Sequence, residues 1–163
     1  MLLEGSCHCG AVSFRLRSAH PYPFNRCYCS VCRKTAGGGG YAINLGGDAD
    51  TFEVDGHDHV RIYQAKIRDR KTNTARESPA QRNFCSVCAS ALWVWDPRWP
   101  ELIHPFASAI DTELPIPPEC THLMLHAKPS WVVLPADHKD KKFADYPEES
   151  IADWHQRLGL VQK

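Results

Sequence analysis

The segment Cys27-Tyr28-Cys29-Ser30-Val31-Cys32 constrains this chain more than any other stretch. Three thiols in C-x-C-x2-C spacing can converge on one metal ion, but they cannot pair off as disulfides because one always remains. Zinc takes four ligands in tetrahedral geometry, and a site given only three protein ligands keeps a position for water or substrate. Two further short-spaced pairs, Cys7/Cys9 (C-x-C) and Cys85/Cys88 (C-x2-C), supply the four thiolates of one closed site. The eighth cysteine, Cys120, stands alone beside apolar sequence and reads as a small buried hydrophobe.

Compartment decides between metal and disulfide. The start, Met1-Leu2-Leu3-Glu4-Gly5, is too soon interrupted by Glu4 to read as a signal peptide, and no run approaches the roughly 18 apolar residues of a membrane span. The expectation is a cytoplasmic protein, where short-spaced thiols serve metal binding or catalysis. Lys plus Arg balances Asp plus Glu at 19 each, which argues against a basic face for nucleic acid. A length of 163 residues, 43% of them hydrophobic, suits one domain spanning residues 1–163. Nothing in the sequence sets an oligomeric state.

Along the chain the pattern is mainly β. Short alternating or apolar runs at 11–16, 41–45, 51–54, 60–65, 92–95, 102–110, 121–125 and 131–134 read as strands between Gly-, Pro- and Asp-rich turns, the last two as a loose hairpin. Trp93 and Trp95 share one strand face, which points to core. The basic stretch 66–83, with Lys66, Arg68, Arg70, Lys71, Arg76 and Arg82 against Asp69 and Glu77, reads as a solvated hairpin or loop, with steering of an anionic substrate as the alternative. His8, His57 and His59 read as surface imidazoles, while His122 and His126 receive no assignment. A C-terminal helix over about 147–159 is expected, with Pro147, Glu148 and Glu149 at its start, Ile151, Trp154 and Leu158 on one stripe, and Gly159 at its end.

The two cysteine sets predict two zinc ions of different character. Cys7, Cys9, Cys85 and Cys88 would cage a structural ion and tie together segments separated by the 75 residues between Cys9 and Cys85. Cys27, Cys29 and Cys32 would hold a catalytic ion with an open corner, one that a three-ligand site can lose. Three thiolates make a soft, electron-rich zinc, suited to taking a fourth thiolate and keeping it nucleophilic. The alternative is a second structural site capped by Cys120 or a histidine. Directly after the triad, Arg33, Lys34 and a four-glycine run that includes Gly38 and Gly39 offer cations and backbone N–H groups to substrate carboxylates; a plain flexible turn is the other reading.

The ordered series Cys7-His8-Cys9-Gly10, Cys27-Tyr28-Cys29-Ser30-Val31-Cys32-Arg33-Lys34 and Phe84-Cys85-Ser86-Val87-Cys88, followed by Pro118-Glu119-Cys120-Thr121-His122 and Trp131, resembles the glutathione-dependent formaldehyde-activating enzyme family, which includes centromere protein V. The resemblance runs from Gly5 to about Trp131. It implies a zinc-stabilised β-tent of short antiparallel sheets and a carbon–sulfur lyase that joins formaldehyde and glutathione, or releases them, as S-hydroxymethylglutathione. The same cysteine assignments follow from it by position. The centromere relative implies the alternative of a non-catalytic zinc-binding β module that mediates protein interaction. Ala89 departs from the family's usual glycine after the last knuckle.

Overall fold

The computed structural model describes residues 1–69 and 71–163, so Arg70 of the basic stretch lies outside the described residues. The strands run in chain order as β1 (Leu2–Ser6), β2 (Ser13–Arg17), β3 (Asn25–Cys27), β4 (Ala42–Ile43), β5 (Gly47–Asp48) and β6 (Glu53–Asp55). They continue as β7 (Val60–Arg68), β8 (Ala75–Cys85), β9 (Ala91–Trp95), β10 (Leu102–Pro105), β11 (Thr121–Leu123) and β12 (Lys141–Lys142). Helices α1 (Ser30–Thr35) and α2 (Ile151–Arg157) complete the set.

Period-two alternation builds the first sheet, ordered β1-β2-β6. Leu3, Phe14 and Leu16 are buried while their neighbours face solvent, and Gly5 sits opposite Phe14, leaving room that a Cβ would fill against the Phe14 ring. The second sheet, ordered β5-β10-β9-β8-β7, is antiparallel, and its β9 is buried on both faces. Trp93 meets Phe14 and Phe52 edge-to-face at centroid distances of 5.3 and 4.9 Å, a core role as expected. The basic stretch is the β7/β8 hairpin, exposed along most of its length.

The third sheet, ordered β12-β11-β3-β4, combines residues far apart in sequence, and β11 pairs in parallel with both β3 and β12. This sheet is mixed, while the first two are the short antiparallel sheets expected. The segment 131–134 forms no strand: Lys128 Nζ bonds the carbonyls of Pro129 and Val132 and curls the chain, and Lys141–Lys142 takes the place beside β11. Likewise Leu102–Ile110 is interrupted after Pro105 by a helical turn at Ala107–Ala109.

Helix α2 begins four residues later than Pro147 suggested, because Ser150 and Asp153 form a reciprocal capping box that satisfies the first N–H groups. Its buried Trp154 stacks on Phe24 at 3.8 Å with rings 7° apart. His155, also fully buried, bonds the Ile151 carbonyl through Nδ1 and accepts the Tyr22 N–H at Nε2.

Candidate metal centres

The turn after β1 and the turn after β8 place the first cysteine set. In the first, Gly10 at φ +76° lets its N–H return to the Cys7 carbonyl; in the second, Ala89 at φ +61° does the same toward Cys85. The His8 N–H donates to Ser90 Oγ and locks the two turns together. The sulfurs of Cys7, Cys9, Cys85 and Cys88 all lie within 4.8 Å of one another, with Cys7–Cys9 at 3.5 Å and Cys9–Cys85 at 3.8 Å. Sulfurs on a tetrahedral zinc with bonds of about 2.3 Å lie about 3.8 Å apart, so the donor set fits a metal ion. Backbone N–H groups of Val12 and Val87 point at Cys7 and Cys85 Sγ, and Ser90 holds the Cys88 thiol down to about 5. All eight cysteines are free thiols.

The second set is built by β3 and α1. Cys27 ends the strand, Cys29 is the N-cap of the helix with Sγ accepting the Cys32 N–H at 3.3 Å, and Cys32 lies one turn on. Their sulfurs also converge within 4.8 Å, and among the described residues no fourth cysteine, histidine or carboxylate joins them within that range. Cys120 therefore does not cap the triad. Hydrogen bonds from Cys27 and Cys32 pull the Cys29 thiol down to about 2, while bonds to Cys29 and Cys32, then burial, push Cys27 up. In a buried cluster one negative charge excludes the next, so three thiolates need a cation among them.

Beneath the triad lies a buried relay. His122, fully buried, bonds the Tyr28 hydroxyl through Nδ1 at 2.8 Å and Asp140 Oδ2 through Nε2 at 2.9 Å; Asp140 Oδ1 accepts the Cys120 N–H. An ionised carboxylate only accepts, so His122 donates from Nε2. Tyr28 sits between two of the triad's cysteines, so the relay fixes their loop to β11 and the segment before β12.

Of the expected substrate contacts, Arg33 is half-buried on α1 with Nε unpartnered, Lys34 is exposed, and Gly38 and Gly39 stand exposed in the following turn. It is Gly40, buried at φ +90°, that packs against Trp131 and Val132. Two residues were not singled out from sequence. Arg82 Nη2 approaches Cys32 Sγ at 3.6 Å, and Tyr146 lies within electrostatic reach of all three cysteines. The Tyr146 ring is largely exposed, yet desolvation first, and then the charges of Cys27, Cys29 and Cys32, push its phenol up to about 12. A cleft of about 270 Å³ opens beside Arg82, walled by Thr35, Tyr63, Phe84 and Phe106.

A family model described as glutathione-dependent formaldehyde-activating enzyme matches residues 2–126. The chain belongs to that family. A curated relative from Halomonas elongata, named "Putative glutathione-dependent formaldehyde-activating enzyme", is 69% identical over 162 residues, 99% of each chain. The crystal structure of a Rhodobacter sphaeroides protein shares the fold, with a TM-score of 0.51 over 69% of this chain and 91% of that one at 24% identity. The family match stops before α2, so Trp154 and Tyr146 belong to the part of the chain beyond it.

Proposed function

We propose that the chain is a zinc-dependent carbon–sulfur lyase acting on a glutathione–formaldehyde adduct or a related thiol adduct. The observation that carries this reading is the inequality of the two cysteine sets: four converging sulfurs in one, three with no fourth donor among the described residues in the other. Cys7, Cys9, Cys85 and Cys88 are assigned to a structural zinc and Cys27, Cys29 and Cys32 to a catalytic one. Zinc at the triad would supply a soft Lewis acid that lowers the pKa of an incoming thiol.

The chain's own residues account for the rest. The relay beneath Tyr28 holds the cysteine loop in place, Phe106 and Val94 wall the triad from below, and Arg33 with Lys34 carries positive charge beside it for the carboxylates of glutathione, with the Gly38 and Gly39 backbone as further donors. In the forward direction the thiol sulfur attacks the aldehyde carbon, the carbonyl π pair moves to oxygen, and the proton lost by the thiol ends on that oxygen; the reverse breaks the same carbon–sulfur bond. No helix among the described residues is long and apolar enough to cross a membrane. Eight free thiols accord with a reducing, cytoplasmic setting.

Cys29→Ser tests the reading. The acceleration of S-hydroxymethylglutathione formation over the spontaneous reaction of formaldehyde with glutathione, followed by NMR exchange, is expected to vanish while the circular dichroism spectrum stays that of the native chain. Retained turnover, or loss of fold together with activity, would assign the triad to scaffolding.

A further inference from the structure

Arg82 has an environment that the metal assignments alone do not explain. It lies on β8 opposite Tyr63 of β7 and Val94 of β9, and Val94 packs in the same cluster as Cys27, Cys32 and Phe106. Side chains alternate across a strand, so this register turns Arg82 toward the triad while Asn83 turns toward Trp93 on the other face. Its Nη2 reaches Cys32 Sγ at 3.6 Å, its Nη1 is buried without a partner, and among the described residues no carboxylate lies within ion-pair distance of it. A guanidinium cannot shed its proton to relieve burial, so its counter-charge must come from the sulfurs.

We propose that Arg82 is the charge-balancing partner of the triad, donating to Cys32 Sγ so that the metal held there accepts a further thiolate. The inference rests on the metal reading above. A divalent ion on three thiolates carries one net negative charge, which the guanidinium cancels; a fourth thiolate adds another, and without Arg82 the cluster would have to bear both. A hydrogen bond to a ligand sulfur also draws electron density from the metal–sulfur bond and leaves the ion more receptive, and removing outer-shell partners of metal ligands typically costs roughly 10–100-fold in metal affinity or activity.

The test uses the full-length protein loaded with cobalt(II). Sulfur-to-cobalt charge-transfer absorption is read for the native chain, Arg82→Met and Arg82→Lys, with the Cys29→Ser protein giving the four-cysteine background. Each is titrated with glutathione and with 2-mercaptoethanol, which has no carboxylate. Arg82→Met is expected to move the triad's band to lower energy and to weaken both thiols alike by roughly ten- to a hundredfold, with Arg82→Lys intermediate. A band unmoved in folded Arg82→Met overturns the proposal. So does weakening confined to glutathione, which would make Arg82 a carboxylate contact. If the native protein responds to neither thiol, the lyase reading falls, while the band position still judges the Arg82–Cys32 bond. Should Arg82→Met not fold, Arg82→Gln and Arg82→Lys carry the same measurement.

Discussion

His122→Ala removes the centre of the relay beneath the triad, and its cost follows from what is left behind. Two hydrogen bonds, at 2.8 and 2.9 Å, disappear. The Tyr28 hydroxyl, in a residue 1% exposed, is stranded, and Asp140, with a side chain 6% exposed, keeps only the Cys120 N–H. A buried neutral group left unsatisfied costs about 1–3 kcal/mol and a charged one more, and the vacated imidazole adds a cavity. The sum is about 3–5 kcal/mol, a large share of the roughly 5–15 kcal/mol typical of a domain. Tyr28→Phe, which strands only one imidazole nitrogen, is expected to cost about 1–2 kcal/mol. Urea unfolding at fixed free zinc, followed by tryptophan fluorescence, measures both, and the fixed metal prevents linkage from masking the difference. The double variant should lose less than the two single losses combined, by about 1 kcal/mol, since the two share one bond. Additive losses, or a His122→Ala effect below about 0.5 kcal/mol, would refute the claim that this relay holds the cysteine loop.

Three further outcomes are expected. Ala89→Gly should stabilise by about 0.5–1 kcal/mol in the same unfolding assay, because a left-handed φ of +61° costs an L-residue about 1–2 kcal/mol and glycine's greater unfolded freedom offsets only part of it. Trp154→Ala should cost about 3–5 kcal/mol through loss of the Phe24 stack, showing that the region beyond the family match is part of the folding unit. Burial lowers the pKa of His20, His104 and His155, so unfolded imidazoles take up protons first. Stability from these groups is therefore complete above about pH 6.5 and is lost as pH falls from there toward their lower folded values; denaturation midpoints between pH 7.5 and 5.5 should show a shallower slope in His155→Gln than in the native chain.

Both cysteine sets were legible because ligand spacing is local: C-x-C and C-x2-C turns fix their geometry within a few residues, and only their convergence needed the fold. The Trp93 core strand and the C-terminal helix were legible for the same reason. Helix α1 was not, since its six residues are too few to show a period and its cap is Cys29 itself. The third sheet escaped because β3 and β12 have three and two residues, too short to read, and because β11, legible as a strand over 121–125, finds its parallel partner β3 across more than ninety positions of sequence and joins β12 rather than 131–134. His122 could not be assigned without that sheet, which brings it to Tyr28. Arg82 was counted as one more charge of a solvated hairpin, because only the register of β8 against β9 decides which face it takes.

The account turns on one ion enclosed by four sulfurs and another held by three. X-ray absorption at the zinc edge of the fully loaded protein measures this directly. It should give an average between three and four sulfurs per zinc that rises to four when glutathione is added. Four sulfurs per zinc before any thiol is present, or an average that glutathione leaves unchanged, would contradict it.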